Sequence, residues 1–280
     1  MHTSYGATVA KRRLARRLVE LRLANGYTAN QVCDKLNWGR GKVGRFEANV
    51  WKRPEMSDVR DLLRIYGVPD DEREELESLA MRARGRAWWR EYGDVFEEGE
   101  YAGFESDAAR ISLYMPLILP GLLQTSAYTE AHMNVGTKTE QWRARALEAR
   151  QRRQGVLDEP DVELVAVLTE ASLLYHWGTP EERRAQIAHL VAMSLRQNVE
   201  IRLLRFSDGP HPGMSSLISI FDFPGDEPGI VFLENDAAVQ QFDSRAEVET
   251  YKRIFADIRD AALEPMATTV ALKQLADTLP

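Results

Sequence analysis

The residues best suited to chemistry lie between Thr28 and Glu47, in the stretch TANQVCDKLNWGRGKVGRFE. Arg40, Lys42 and Arg45 are closely spaced cations separated by glycine and valine. A guanidinium can donate two parallel hydrogen bonds to guanine O6 and N7, each such pair giving roughly 1–3 kcal/mol of discrimination. An ammonium suits a phosphate as a point charge. If the stretch folds as two helices joined by a tight turn, Arg40, Gly41, Gly44 and Arg45 fall on the outward face of the second helix, where base edges are read. Lys42, together with Arg16, Arg17, Thr28, Lys52 and Arg53, is then placed for phosphate oxygens. The spacing meets the demands of that geometry. Cys33 is small enough for a close helix crossing, Asn37 tolerates a left-handed turn, and Val43 and Phe46 point inward together. An ordinary helical hairpin with a solvated basic face is the alternative reading of the same pattern.

Other residues that could do chemistry form no set. The five histidines are scattered at 2, 132, 176, 189 and 211, without a metal-ligand spacing. Cys33 is the only cysteine, so neither a disulfide nor a multi-cysteine metal site is expected. No Walker loop, GxGxxG or GxSxG is present. His211, in Gly-Pro-His-Pro-Gly, reads first as a loop histidine satisfied by backbone. Trp88 and Trp89 are more in keeping with aromatics bridging two surfaces than with a ligand pocket. These three are the candidate ligand or partner residues. Glu97, Glu98 and Glu100 read as a solvated charge run. No catalytic residue, metal or cofactor is expected, and an enzyme is the least supported class.

The elements that must position these side chains follow from periodicity and charge. The chain has 280 residues and a formal charge of −7, which suggests two domains and, at first sight, no attraction to nucleic acid. That average conceals a division. Residues 1–67 carry 14 basic against 6 acidic side chains, and residues 68–280 carry 22 against 37. A basic head on an acidic body is the asymmetry of a nucleic-acid module joined to something else. Apolar spacing predicts helices near 8–24, from Thr28, near 39–47, from Val59 to Tyr66, and from Asp70 to Arg84. Thr28 with Gln31 forms a capping-box signal. An aromatic connector from Arg86 to about Gly103 contains too many rings for a free linker and is expected to dock. Beyond it, strands are predicted near 111–114, 163–168, 200–204, 216–221 and 230–233. Helices are predicted near 124–134, 139–156, 180–196, 244–262 and 265–278. The expected fold is therefore an all-α head over about 8–67, an acidic helix and connector over 68–102, and an α+β domain over 103–280. Without an apolar run of about 18 residues or a secretory leader, a soluble cytoplasmic, nucleoid-associated protein is expected.

The head resembles the lambda-repressor/Cro-like (XRE) helix-turn-helix family. The stretches WWREYGD, YMPLILPGLLQTSAYTEA, FSDGPHPG and EVETYKRIFADIRDAAL resemble, in order and spacing, the C-terminal domain of unknown function 5753 of actinobacterial, WhiJ-like regulators. The resemblance implies a DNA-binding transcription regulator whose operator occupancy is modulated through the C-terminal domain by a small protein partner or a ligand. It also implies a small DUF397-type partner, in an arrangement likened to antitoxin and toxin. An antitoxin-like interaction module with secondary DNA binding is thus the alternative. A homodimer on an inverted-repeat operator is expected, because one short helix covers only a half-site.

The sequence departs from the family where it would read DNA. Serines usual in the third helix are Gly39, Gly41 and Gly44, and the glutamine usual at the start of the second is Ala29. An interior glycine costs a helix about 0.8–1 kcal/mol relative to alanine. Gly41 and Gly44 are therefore expected to soften the recognition helix. Either it firms up on DNA, with Arg40 and Arg45 carrying specificity, or it is a weakened reader that relies on other contacts.

Overall fold

The computed structural model describes residues 5–51, 54–85, 87–96, 100–214, 216–235 and 238–278, with the Glu100 side chain left aside. The chain divides into two compact units, Met1–Arg90 and Glu91–Pro280.

The first unit contains helices only, among the described residues: α1 (Ala7–Ala24), α2 (Ala29–Lys35), α3 (Lys42–Glu47), α4 (Met56–Ile65) and α5 (Asp70–Ala83). The leucines that set the period of α1, Leu14, Leu18 and Leu21, are buried. They share a core with Val32 and Cys33 of α2, Val43 and Phe46 of α3, and Val59, Leu62 and Leu63 of α4. Thr28 caps α2 through the expected box, its Oγ1 accepting from the Gln31 amide at 3.2 Å while Gln31 Oε1 accepts from Thr28 N–H at 2.8 Å. Asn37 takes a left-handed conformation (φ 53°) and turns the chain toward α3. The fifth helix packs on α1 and α4, burying Leu76, Leu79, Ala80 and Ala83. The acidic helix, expected next to the connector, packs as the fifth helix of the helical unit.

The second unit is an α+β domain around a six-stranded mixed sheet in the order β3-β2-β1-β4-β5-β6. Its strands are β1 (Arg110–Met115), β2 (Glu163–Thr169), β3 (Val199–Leu204), β4 (Leu217–Asp222), β5 (Ile230–Asn235) and β6 (Ala238–Phe242). Neighbours among β1, β2 and β3 run parallel, so each connection must cross over the sheet. Helices α7 (Ser126–Met133) and α8 (Glu140–Gln154) make the first crossover, and α9 (Glu170–Leu174) and α10 (Pro180–Met193) the second. The pairings β1–β4, β4–β5 and β5–β6 are antiparallel. Alternation along the strands separates two faces. Tyr114, Val165, Val167, Ile218, Ile220 and Val231 pack with Val248, Phe255 and Ile258 of α11 (Arg245–Ala261). The intervening Phe221 and Phe232 meet Tyr101 of α6 (Glu100–Asp107), with ring centroids 5.0 and 5.2 Å apart. The last helix, α12 (Pro265–Thr278), packs on α10 and β3.

Helix starts in this unit are legible in the chain. Thr125, Thr139 and Ser244 cap α7, α8 and α11, and Thr179-Pro180-Glu181-Glu182 supplies α10 with a capping box and a proline in its first turn. Three elements escaped the sequence reading. Strand β6 is an exposed edge with Gln240 and Gln241 where an apolar alternation was sought. Helix α6 begins inside the expected connector, and α9 is barely more than one turn.

The rest of the aromatic connector is docked at its C-terminal part. Trp142 of α8 donates from Nε1 to the Asp94 carbonyl at 2.9 Å, Arg145 holds the Asp94 carboxylate at 2.8 and 2.9 Å, and Tyr92 donates to Glu148 at 2.8 Å. Residues 91–96 therefore belong to the surface of α8. Glu97 and Glu98 lie outside the described residues.

Candidate nucleic-acid interface

Helix α3 is held from behind by side chains that the sequence reading did not single out. Arg22 near the end of α1 donates to both carboxylate oxygens of Glu47 at 2.5 and 3.0 Å, and its third contact is the Tyr27 carbonyl at 2.7 Å. This fork ties α1 to the last residue of α3 across a half-buried seam, and the hydrogen bond to Glu47 raises the Arg22 pKa. Phe46 lies between Trp38, stacked at 6.3 Å between centroids, and Trp51, tilted at 5.6 Å, while Trp51 Nε1 donates to the Phe46 carbonyl at 3.1 Å. The only sequence signal for the brace was the pairing of an arginine with a glutamate 25 residues on, a separation that carries no periodicity.

The recognition helix begins later than its apolar pattern suggests. It spans Lys42–Glu47, and Gly41 sits at its N-cap position with φ 80°. The expectation that Gly41 softens the helix interior is therefore corrected. It stands outside the helix, in a left-handed conformation that costs an L residue roughly 1–2 kcal/mol. Arg40 likewise precedes the helix instead of riding on its face. Gly44 remains interior, with open space where a Cβ would stand.

The expected contact residues divide by what already holds them. Arg40 and Arg45 are exposed, and neither has a hydrogen bond or an ion pair among the described residues. The Arg45 guanidinium lies over Gly41, 3.8 Å from where a Cβ would be, so the two arginines frame one bare stretch of backbone. Lys42 is engaged, 2.6 Å from Asp58 of α4 and 4.1 Å over the Trp38 ring. Arg17 is bound between Glu20 at 2.8 Å and Glu72 of α5 at 2.5 Å, and its pKa is raised, first by the hydrogen bond to Glu20. Arg16 is half-buried on α1, and Thr28 is occupied by its cap. Lys52 and Arg53 lie outside the described residues.

The acidic α5 explains the division. Glu72, Glu75 and Glu77 face Arg17, Arg13 and Arg60 at 2.5, 3.5 and 2.9 Å. Positive charge on that side of the unit is paired internally, whereas Arg40 and Arg45, beside the turn before α3 and in its last turn, have no carboxylate partner among the described residues. Such a field steers a polyanion to the reading surface.

The candidate ligand or partner residues are divided between the units, Trp88 and Trp89 in the first and His211 in the second. His211 packs edge-on to Tyr114, 5.8 Å between centroids, and its Nδ1 donates to the Pro212 carbonyl at 2.8 Å. Trp89 sits under Arg90 at 5.4 Å. A cavity of about 380 Å³ in the second unit is lined by neither Trp88, Trp89 nor His211. No group of three metal-binding side chains occurs among the described residues, and no described helix is long and apolar enough to cross a membrane.

Two short helices joined by a left-handed turn, the second of them braced from behind by Arg22, define a DNA-binding regulator of the helix-turn-helix class, here carrying an α+β domain. The family models agree with each part. A helix-turn-helix domain model matches residues 13–76, and one described as a domain of unknown function (DUF5753) matches residues 99–274. The chain belongs to the DUF5753 family, with the lambda-repressor/Cro-like head that its sequence resembles. No curated protein and no solved structure matches it.

Proposed function

We propose that this protein is a sequence-specific transcription regulator that reads each half of an inverted repeat through Arg40 and Arg45, binding as a homodimer, with operator occupancy modulated by the C-terminal domain. The observation that carries the reading is the contrast within one unit. Lys42, Arg17, Arg22 and Arg60 are held by carboxylates, while Arg40 and Arg45 are exposed and unpaired beside the exposed Gly41 backbone. An arginine free to present its planar fork is what bidentate guanine recognition needs. A six-residue recognition helix reaches few base pairs, which is why two copies on a repeat are proposed.

The test is an Arg40→Ala, Arg45→Ala double variant on a duplex selected by the wild-type protein. Loss of two bidentate pairs predicts a fall of about 10²-fold or more in affinity for the selected site and little change on random duplex. Wild-type affinity and site choice in the variant would remove base reading by these residues. Independently, wild-type affinity must fall steeply as salt rises, since phosphate contacts release counterions.

A further inference from the structure

The cavity in the second unit contains a charge that no hydrogen bond or ion pair holds among the described residues. Helix α8 carries five arginines, and four of them have partners: Arg143 with the Lys138 carbonyl, Arg145 with Asp94, Arg152 with Glu91, and Arg153 with Glu105. Arg150 has none among the described residues. It lines the cavity, and its guanidinium lies flat on the backbone of Gly121, where a Cβ would fall 1.8 Å from Nη1. Burial together with the neighbouring Arg153 pushes the Arg150 pKa down to about 10, the sign of a cation short of solvent and counter-charge.

The surroundings make this more than a stray side chain. The loop that supports Arg150 is fixed by its own hydrogen bonds. Gln154 donates to the Gly121 and Gln124 carbonyls at 2.9 and 2.7 Å, Gln186 donates to the Leu123 carbonyl at 2.8 Å, and Gln124 donates to the Leu119 carbonyl at 2.7 Å. One turn along α8, Arg153 is forked onto Glu105 at 2.6 and 2.7 Å, so that charge is already matched. Glu234 also lines the cavity but forms no ion pair with Arg150, and burial raises its own pKa toward the neutral acid. The walls between these groups are apolar or aromatic: Phe96, Tyr101, Met115, Ile118 and Trp142. A preformed cavity of this size, with apolar walls and polar groups in about equal measure and with Arg150 left without an ion pair among the described residues, has the dimensions of a small-molecule site. Arg150 is half-buried, and a guanidinium drawn part-way out of water without an ion pair is costly unless something completes it.

We propose that the cavity binds a small organic anion, with one carboxylate, sulfonate or phosphate group seated on Arg150 and a flat apolar body against Tyr101, Met115, Ile118 and Trp142. The site stands on the cavity alone. Its use as the effector site of the regulator rests on the function proposed above.

The experiment titrates the full chain with two fluorescent probes. One is 8-anilinonaphthalene-1-sulfonate, and the other is N-phenyl-1-naphthylamine, the same aromatic body without the sulfonate. The sulfonate probe is expected to bind about tenfold tighter than the neutral one. Arg150→Met is expected to weaken it about 10- to 100-fold and leave the neutral probe within about twofold. Gly121→Ala should act in the same direction, because its methyl group displaces only the flexible end of Arg150 and spares the core. Equal affinities for the two probes, or a sulfonate affinity that survives either substitution, would overturn the proposal. If Arg150→Met does not fold, Gly121→Ala decides alone. Probe binding without any change in duplex affinity supports the site and counts against modulation through it.

Discussion

The two units use the same side chain in opposite ways. The helical unit, through residue 90, carries 19 basic and 12 acidic side chains, and the α+β unit carries 17 and 31. Each nevertheless leaves arginines unpaired among its described residues. In the positive unit they are Arg40 and Arg45, exposed beside a short helix. In the negative unit they are Arg245, exposed on α11, and Arg150, turned into a cavity although acidic residues outnumber basic ones almost twofold. An exposed guanidinium costs almost nothing to leave unpaired, because water solvates it and salt screens it. Its ligand can be a polymer of phosphates met at the surface, and affinity should follow ionic strength. A buried guanidinium is expensive to leave unpaired, and its ligand must be small enough to enter. Net charge therefore predicts neither site. What marks the two proposed sites is an unpaired arginine in a particular setting, beside a left-handed turn in one unit and lining a cavity in the other.

The largest expected effect comes from unmatching a charge that is matched. Glu105 and Arg153 have side-chain exposures of 2% and 11% and meet through two hydrogen bonds. Burial disfavours the Arg153 cation, yet Glu105 holds its pKa above the ordinary value. Glu105→Gln leaves that cation buried without a carboxylate, and a loss of about 3–5 kcal/mol is expected for the α+β unit. Hydrogen exchange separates the units: amides of β1 and β2 should lose protection while those of α1 keep theirs. Unchanged protection in β1 and β2 would mean that the cavity region tolerates unpaired cations, and the contrast with Arg150 would lose its force.

A smaller effect is expected at the turn that exposes Arg40. Gly41 holds φ 80°, and Gly41→Ala should destabilise the helical unit by roughly 1–2 kcal/mol through backbone strain. Thermal unfolding of the full chain should show the lower shift in that unit alone. A neutral outcome would place the start of α3 nearer residue 39, with Arg40 on the helix face after all.

How much of this could be read from the chain depended on how local the cause was. The turn at Asn37, the cap at Thr28 and the five sheet strands from Arg110 to Asn235 were legible because their signals lie within a few residues. Arg40 and Arg45 were singled out by type and spacing, although the late start of α3 was not, since Gly39 and Gly41 are equally good caps in sequence. The intramolecular partners of the cations expected at phosphates were not legible. That Arg17 faces Glu72 and Lys42 faces Asp58 depends on helix packing across 55 and 16 residues. Arg150 was invisible for the same reason: in EQWRARALEARQRRQ it is one arginine of five, and only the fold shows which of them lacks a partner.

The smallest effect bears most directly on how the exposed arginines work. Gly44 is the one glycine left inside α3, and the space where its Cβ would stand is open to 4 Å. Gly44→Ala should therefore stabilise the helical unit by about 0.8–1 kcal/mol, visible as a rise in its unfolding temperature. The consequence for DNA separates the two accounts of the glycine-rich reader. If α3 firms up only on the duplex, a pre-stiffened helix spends less ordering free energy at binding, and affinity for the selected site should rise by up to about fivefold. If instead Gly44 is needed so that the backbone can approach the duplex, the added methyl group clashes and affinity falls although stability has risen. A gain in stability with no change in affinity would show that α3 is already ordered before binding. Arg40 and Arg45 would then act from a rigid surface, which is how the proposed organic anion is met by Arg150, held on α8 against the loop around Gly121.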